Sequence, residues 1–478
     1  MPIAIGGPGT TTLGGPARHR LAKRLERAVA TARATGREVL ASVTVEAAPG
    51  SDPTAVAVAS RRTGEHWFCL EQPERAGSAL AALGCVRMLN ARGPDRFRSV
   101  ASAWRSLCAD ALTAPPSGPA AGPFAVGGFA FAPDGGDTPA WAGFAPAALT
   151  VPEVALWRRE GQAQLTVSAL AAADDTPEEL LARIERRLGE LRSHTLPLLD
   201  PAPAERARIA GAMPPAHYVS AVARAIERIR AGEVQKVVLA RAVDVHGPAP
   251  HDPAAILGVL REAFPQCYVL AVGSGDATFV AASPELLVRR EGQRASTVAL
   301  AGSIRRSADP AVDAHLGEQL LHSAKDREEQ AIVARRIQRT LGKRALWVTA
   351  PEEPVIVRMA NIQHLATPIR AQLAEPVGAI DLAGMLHPTP AVGGEPFARA
   401  QELIPALEGL DRGWYAGPIG WTDATEDGEF CVGLRSALLR GPLARCYAGV
   451  GVVRDSDPAA ELEETEMKLQ ALLPVLAG

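Results

Sequence analysis

The stretch VQKVVLARAVDV at residues 234–245 is a strand-like run, and the order of elements around it decides the fold. Before it, apolar residues recur at helical spacing from Tyr218 to Ile229, and Gly232 is well placed to end that helix. The chain therefore passes from a helix through a short turn into a strand.

The segments on either side continue this mixture of elements. Helices are predicted at 176–192, 253–263, 313–341, 396–407 and 458–473. Strands are predicted at 43–58, 164–170, 267–272, 277–289, 429–439 and 443–453. Runs of strands with helices of varied length, rather than strict alternation, predict an α+β fold with large, mainly antiparallel sheets and surrounding helices.

The Pro-interrupted segment LPLLDPAPAE at 196–205 is the preferred boundary between two parts of the chain. Few groups of ionisable residues precede it. We therefore predict an N-terminal scaffold half at 1–210 and a catalytic half at 211–478.

Composition narrows the class of partner. The 478 residues carry 50 basic and 53 acidic side chains, with no long run of either sign. Nucleic acid and anionic membranes are therefore not expected as partners, and a small-molecule partner is predicted instead. The six cysteines show no CxxC spacing, which favours a reducing cytosol. The first twenty residues do not resemble a signal peptide, and no apolar run is long enough to cross a bilayer, so a cytoplasmic protein is predicted.

Two residues in strand-like segments are candidates for acid–base chemistry. Lys236 shares a strand face with Val238 and Ala240, and such apolar neighbours favour an uncharged lysine that acts as a base. The alternative, favoured by spacing alone, is an edge-strand lysine that extends to water. Glu285 follows Pro284, which indicates an edge, a bulge or a strand start that aims the side chain into a cleft. An ion pair of Glu285 with Arg289 or Arg290 is an equally good alternative.

Carboxylates on two predicted helices are candidates for a metal site. Glu329 extends the apolar stripe of Val333 and therefore points inward, whereas Arg327 and Glu328 lie on the solvated face. After the predicted N-cap Asp457, one helix face carries Glu461, Glu464 and Lys468. Two carboxylates one turn apart suit magnesium, although acidic residues in a first helical turn also complement the helix dipole.

Arg435 and two glycines are candidates for anion binding. By strand alternation, Arg435 lies beside Cys431 and Gly433, where small neighbours leave room for a carboxylate, although an internal salt bridge is the commoner use of arginine. Gly449 and Gly451 would let backbone amides approach an anion.

Taken together, the segments after residue 215 resemble the chorismate-utilising enzyme family, which includes isochorismate, salicylate, anthranilate and aminodeoxychorismate synthases. The resemblance rests on ordered blocks: QKVVLAR at 235–241, SPELL at 283–287, LAGS at 300–303, KDREEQ at 325–330, QHLATP at 363–368, HPTPAVGG at 387–394, YAGVGVV at 447–453 and ELEETEMK at 461–468. It implies the chorismate-binding fold, with two intimately packed halves.

The resemblance also implies roles for these residues. Lys236 would be the base that activates water, and Glu285 the acid that protonates the departing hydroxyl. The implied Mg²⁺ ligands are Glu329 and Glu464, with Glu461 in the metal's water shell or as an occasional ligand. The residues implied to position chorismate are His364, Arg435, Gly449, Lys468, Ala301 and Gly302.

Lysine at 236 and the HPTPA stretch resemble water-using isochorismate synthases, whereas Ala301 stands where aminodeoxychorismate synthases carry a lysine. The implied activity is magnesium-dependent conversion of chorismate to isochorismate, by a monomer without an obligate protein partner. The alternatives are a salicylate synthase, which also eliminates pyruvate, and a catalytically silent chorismate-binding protein. The chain departs from the family pattern at two positions: Gln330 stands where many members have a histidine, and Ala281 stands where many have a glycine.

Overall fold

The computed structural model describes residues 3–5, 11–114, 122–199 and 206–477. Within these ranges the helices are α1 (Gly15–Thr35), α2 (Pro53–Ser60), α3 (Arg96–Ala109), α4 (Pro177–Gly189), α5 (Pro215–Arg230), α6 (Pro253–Ala263), α7 (Pro310–His322), α8 (Ala324–Leu341), α9 (Ala379–Leu386), α10 (Phe397–Glu408), α11 (Pro458–Leu469) and α12 (Leu473–Ala477).

The strands within the same ranges are β1 (Val39–Ala47), β2 (Gly64–Gln72), β3 (Ser78–Leu83), β4 (Arg87–Ala91), β5 (Phe124–Phe129), β6 (Ala147–Val151), β7 (Val154–Arg159), β8 (Gln162–Ala171), β9 (Arg208–Gly211), β10 (Lys236–His246), β11 (Tyr268–Gly275), β12 (Ala277–Ser283), β13 (Leu286–Glu291), β14 (Arg294–Arg305), β15 (Ala345–Thr349), β16 (Val355–Arg358), β17 (Ile362–Leu373), β18 (Gly394–Glu395), β19 (Pro418–Asp423), β20 (Gly428–Val432), β21 (Ser436–Arg440) and β22 (Leu443–Val452).

These strands form two sheets. The first, of 12 strands among the described residues, has the order β1-β8-β7-β3-β2-β11-β12-β21-β22-β10-β18, with β9 also on β10. The second, of 10 strands, has the order β15-β17-β14-β13-β20-β19-β5-β6-β4, with β16 also on β17. Neighbours in both sheets run antiparallel, as in β2–β11, β5–β19 and β10–β22. The predicted α+β fold with large antiparallel sheets is confirmed.

The N-terminal and C-terminal parts of the chain share both sheets. The β2–β11 pair joins them in the twelve-stranded sheet, and the β5–β19 pair joins them in the ten-stranded sheet. The halves are thus intimately packed, as the resemblance implied. The boundary at residue 210 stays a prediction, and residues 200–205 of the segment that marks it lie outside the described residues.

The main core lies between the two sheets, where their facing side chains meet the apolar sides of α3, α8 and α9. Its largest members include Trp104, Trp141 and Trp414, all at most 2% exposed. Each indole N–H donates to a backbone carbonyl, so burial of these rings leaves no polar group unpaired. A second core covers the other face of the twelve-stranded sheet with α1, α4 and α6.

Two predicted strands, 277–289 and 429–439, are each two strands in the structure. The chain leaves the twelve-stranded sheet after Ser283 and enters the ten-stranded sheet at Leu286. Later, the chain leaves the ten-stranded sheet after Val432 and re-enters the twelve-stranded sheet at Ser436. Pro284 cannot donate a ladder hydrogen bond, which is why the first break was visible in the sequence as an irregularity.

Three other predicted elements were too long. The helix predicted at 313–341 is broken at Ser323, where the backbone is extended and the side-chain hydroxyl caps α8 by accepting a hydrogen bond from the Asp326 N–H. The helix predicted at 458–473 ends at Leu469, before the separate α12. The strand predicted at 43–58 ends at Ala47, and the rest is α2, which Asp52 caps and Pro53 begins.

Across the described ranges, no helix combines the length and apolar character needed to cross a membrane.

Candidate active site

The two places where the chain crosses between sheets lie against each other. The Ala282 N–H donates to the Arg435 carbonyl at 3.1 Å, and the Val432 N–H donates to the Glu285 carbonyl at 3.0 Å. Glu285 and Arg435, which belong to no strand, are therefore fixed side by side where the two sheets meet. Alternation along one strand had placed Arg435 beside Cys431 and Gly433; that prediction was wrong, because the strand ends at Val432 and Arg435 adopts φ +47°.

A cleft opens at this junction. It encloses about 750 Å³ of space between atoms, including solvent at its mouth, which suits a small molecule. Nine of the eleven predicted site residues line it: Glu285, Ala301, Gly302, Glu329, His364, Arg435, Gly449, Glu464 and Lys468. The other two, Lys236 and Glu461, contact residues of the same region but do not line the cleft.

Glu285 has the properties of an acid that keeps its proton at neutral pH. It is 3% exposed, and burial raises the pKa of its carboxyl to about 8. The positive charges of Lys236 and Lys468 and a hydrogen bond with Thr389 oppose this rise without cancelling it. A protonated carboxyl in a cleft is suited to give its proton to a leaving group.

The alternative ion pairs for Glu285 are not formed. Arg289 instead donates to Glu429, and Arg290 lies 2.8 Å from the Asp427 carboxylate. The alternative of a surface ion pair is therefore wrong, and Glu285 is left facing the cleft.

Lys236 is fully buried, with its Nζ 2.8 Å from Oε1 of Glu329. The edge-strand alternative was therefore wrong. A Cβ at Gly451 would lie 2.1 Å from Oε1 of Glu329 and 2.7 Å from Cε of Lys236, so only glycine leaves room for this pair. Since Glu329 lines the cleft and Lys236 does not, the lysine lies behind the carboxylate. Glu329 itself is buried while Arg327 and Glu328 are exposed, as predicted.

His364 connects the ten-stranded sheet to Arg435. Its Nε2 lies 2.7 Å from Nη2 of Arg435, and because a guanidinium only donates, Nε2 accepts and Nδ1 carries the proton. Nδ1 lies 3.0 Å from the Ser303 hydroxyl and 3.3 Å from the Gly302 carbonyl. Burial, together with the charges of Arg435 and Lys468, keeps the pKa of His364 well below its usual range. The imidazole is neutral and holds the guanidinium in place.

Arg435 is well suited to hold an anion. It is 8% exposed, and its buried Nη1 has no hydrogen-bonding partner among the described residues, although the weakly accepting thiol of Cys267 lies close enough to interact. Burial lowers the pKa of the guanidinium from a very high ordinary value, so it stays charged. A buried guanidinium N–H without a partner is costly, and a substrate carboxylate would relieve that cost.

Each of the three predicted metal ligands is paired with a lysine. Glu329 pairs with Lys236 as described, Glu464 Oε1 lies 2.9 Å from Lys468 Nζ, and Glu461 Oε1 lies 2.7 Å from Lys325 Nζ. Lys468 Nζ also donates to the Gly449 carbonyl at 3.0 Å. The predicted common helix face for Glu464 and Lys468 is confirmed. Throughout the described ranges, no group of three or more His, Cys, Asp or Glu side chains is arranged to hold a metal.

The donor set nevertheless fits a magnesium ion. Mg²⁺ is usually held by one or two carboxylates, while water and substrate oxygens supply its remaining ligands. Glu329 and Glu464 both line the cleft where a substrate would bind. Nearby, the pKa of Asp326 is raised by burial and then by the negative charges of Glu329 and Glu464, so acidic side chains crowd together here.

Sequence reasoning missed two residues of this region, one that contacts Glu285 and one that lines the cleft. Thr389, which is 3% exposed and hydrogen-bonds Glu285, lies in the quoted HPTPAVGG block but was not singled out. Tyr415 lies in GWYAGPIG at 413–420, whose density of glycines and aromatic residues was the available signal. Its ring stacks on Tyr447 at 5.1 Å, and its hydroxyl would lie 2.8 Å from a Cβ at Gly449.

A larger cavity elsewhere is chemically unsuited to an anionic substrate. It encloses about 1150 Å³ of space between atoms, including solvent at its mouth, and its lining includes Trp67, Phe144 and Trp414. Its lining contains no Lys, Arg, Asp or Glu. The cleft at the sheet junction, with Arg435 and Lys468, is therefore the better candidate.

Known proteins share both the sequence and the fold. The chain is 38% identical over 460 residues to the salicylate biosynthesis isochorismate synthase of Pseudomonas aeruginosa, covering 96% of this chain and 95% of that one. It is 33% identical to the isochorismate synthase MenF of Bacillus subtilis, covering 88% and 89%. The solved structure of MenF, the menaquinone-specific isochorismate synthase from Escherichia coli, matches with a TM-score of 0.75 at 25% identity, covering 96% of this chain and 100% of that chain.

The family model described as chorismate binding enzyme matches residues 25–477, almost the whole chain. This match includes every residue of the cleft as well as the strands that the two halves share. The chain therefore belongs to the chorismate binding enzyme family.

Proposed function

We propose that this protein is a magnesium-dependent isochorismate synthase, which adds water at one ring carbon of chorismate and expels hydroxide from another. The observation that carries the proposal is Glu285, a carboxyl with a pKa of about 8 in a cleft that also presents Arg435 and Lys468. Relatives named isochorismate synthase over nearly their full length support it.

Substrate capture follows from the cations of the cleft. Chorismate carries a ring carboxylate and an enolpyruvyl carboxylate, and the partnerless Nη1 of Arg435 is suited to hold one of them. Neutral His364 holds the guanidinium from behind without adding a competing charge. Lys468, fixed by the Gly449 carbonyl, supplies a second cation. Ala301 and Gly302 complete the wall without bulky side chains.

The reaction needs a base and an acid on opposite faces of the ring. In our proposal Lys236 first loses its ammonium proton to solvent when Glu329 turns away. Its free amine then accepts a proton from the attacking water as the new C–O bond forms and the electron pairs of the ring double bonds shift. Glu285 gives its proton to the departing hydroxyl as the old C–O bond breaks, so that water leaves. Because Glu329 covers Lys236, the base is available only when that carboxylate turns away.

Glu329 and Glu464 are the residues that would hold magnesium, with Glu461 in its water shell. When bound, the ion would neutralise and orient the ring carboxylate of chorismate. Turning Glu329 toward a cation in the cleft is also the movement that would uncover Lys236.

Product analysis tests the proposal. Purified protein incubated with chorismate and Mg²⁺ should give isochorismate, identified by chromatography against a standard and by NMR. Salicylate with pyruvate as the main products would indicate a salicylate synthase instead. Glu285→Gln should bind chorismate without turnover, whereas the matched control Glu291→Gln, a surface carboxylate on β13, should keep wild-type activity. Chorismate binding without turnover by the wild type would indicate a silent binding protein.

We also propose that the enzyme is cytosolic and monomeric. All six cysteines are unpaired, in keeping with a reducing compartment. Light scattering after size-exclusion chromatography should give the mass of one 50.0 kDa chain, and a stable dimer would contradict the monomer.

A further inference from the structure

Lys325 is the one lysine of the three carboxylate pairs that has no role in the reaction proposed above. Its Nζ lies 2.7 Å from Oε1 of Glu461. We infer that Lys325 is an internal competitor of the metal: it neutralises the acidic cluster when no divalent cation is bound and keeps the affinity of the cluster for such a cation low. This inference rests on the magnesium site of the proposed function.

The burial of the two partners differs greatly. The Glu461 side chain is 2% exposed and that of Lys325 is 34% exposed. The lysine, which lies in the first turn of α8, therefore has access to solvent, whereas the carboxylate in the first turn of α11 is enclosed. A buried carboxylate needs a cation or hydrogen-bond donors, and a lysine with a flexible stem can leave for water at small cost. The pair is built so that the lysine is the partner that moves.

Lys325 acts on more than Glu461. It lies close enough to Glu464 and Glu329 to interact electrostatically with both proposed direct ligands. It shares α8 with Glu329, four residues away, so one turn of helix carries both a proposed ligand and its competitor. A positive charge this close repels a divalent cation, and within a partly buried site that repulsion is weakly screened.

Removal of the charge should therefore have two opposite effects. Without metal, Lys325→Met leaves the buried Glu461 without its cation, so the melting temperature should fall. Divalent-cation affinity should rise, by roughly tenfold, because the competing charge is gone. A lysine that served only to tie α8 to α11 would give the first effect, with unchanged or weaker cation binding.

The experiment is a titration of Mn²⁺ into the intact protein without chorismate, with the free ion followed by electron paramagnetic resonance. Wild type is compared with Lys325→Met, with Lys325→Gln and with Lys343→Met, which removes the same charge from an exposed residue after α8. Lys325→Gln keeps a hydrogen-bond donor beside Glu461, so it should bind Mn²⁺ more tightly with a smaller loss of melting temperature even if the methionine variant folds poorly.

The outcomes distinguish a failure of the inference about Lys325 from a failure of the proposed magnesium site. Tighter Mn²⁺ binding by either Lys325 variant, with Lys343→Met equal to wild type, supports the inference. If neither folded Lys325 variant binds Mn²⁺ more tightly than wild type, the inference is overturned and the magnesium site stays intact. No binding by wild type or by either Lys325 variant removes the metal site itself, and the role of Lys325 with it.

Discussion

Burial of Glu285 should set the alkaline limit of activity, and its hydrogen bond with Thr389 should shift that limit. Only the protonated carboxyl gives a proton to the leaving group, so kcat/KM should fall as pH rises through the pKa of Glu285, about 8. The Thr389 hydroxyl favours the ionised carboxylate and so lowers that pKa. Thr389→Val removes the hydroxyl with little change of shape, so the pKa should rise and the alkaline limb should move to higher pH.

The size of the movement follows from the strength of the bond. A hydrogen bond to a charged group contributes about 1.5 kcal/mol at the lower end of its usual range, which is appropriate where water from the cleft can replace the hydroxyl. Since about 1.4 kcal/mol corresponds to one pKa unit, the limb should move upward by about one pH unit.

The assay is the pH dependence of kcat/KM for wild type and Thr389→Val at saturating Mg²⁺, so that any effect of the ion on Glu285 cancels in the difference. The matched control is Thr422→Val, which removes a buried hydroxyl that donates to the Asp427 carbonyl at 3.0 Å, away from the cleft. A limb that stays in place or moves to lower pH in a folded Thr389→Val enzyme would refute Glu285 as the titrating acid.

Three further predictions concern the buried lysine and the carboxylates. Lys236→Ala should fold, as judged by circular dichroism, and lose about 10²–10⁴-fold in kcat, and a folded variant with normal initial rates would overturn the assignment of the base. Glu329→Ala and Glu464→Ala should each raise the Mg²⁺ concentration that gives the half-maximal rate. The double variant should raise it little further, since one loss already disrupts the site. If this Mg²⁺ concentration is unchanged in all three variants, the metal lies elsewhere. Gly451→Ala should separate Lys236 from Glu329, because the added Cβ would lie 2.1 Å from Oε1 of Glu329. The variant should have a lower kcat and lose only a few degrees in melting temperature. Wild-type kinetics would show that this close fit is unimportant.

Elements with strong local signals were predictable from the sequence. The helix predicted at 253–263 matches α6, because Asp252 caps it and Pro253 begins it. Asp457 and Pro458 likewise mark the start of α11. The strand-like run at 234–245 corresponds to β10, Lys236–His246, which pairs with β22. In each case the information lies within a few consecutive residues.

Contacts between distant segments were not predictable in the same way. Lys325 and Glu461 are 136 positions apart, and no local pattern shows that they form an ion pair. Local pattern named Lys236, Glu285 and Arg435 as candidates, but only the family resemblance assigned their roles, since spacing alone favoured an edge-strand Lys236 and left an ion pair of Glu285 equally open. The sheet crossings at Pro284 and Arg435 were missed as crossings because a run of apolar residues looks the same whether or not the chain changes sheets.

Those crossings explain why the site lies where it does. In a regular strand a side chain points into a packed face or out to solvent, and its backbone is held by both neighbours. Glu285 and Arg435 lie between strands, so each side chain is directed by the break in the ladder, while the hydrogen bonds between the two crossings hold both backbones. The cleft that forms there is buried enough to raise the pKa of Glu285 and to keep His364 neutral. The same burial favours a cation beside an ionised carboxylate, and a lysine accompanies each of Glu329, Glu461 and Glu464. The buried carboxyl of Glu285 and the guanidinium of Arg435 thus follow from one structural event, the exchange of strands between two antiparallel sheets, whereas Glu329 and Glu464 reach the same cleft from α8 and α11.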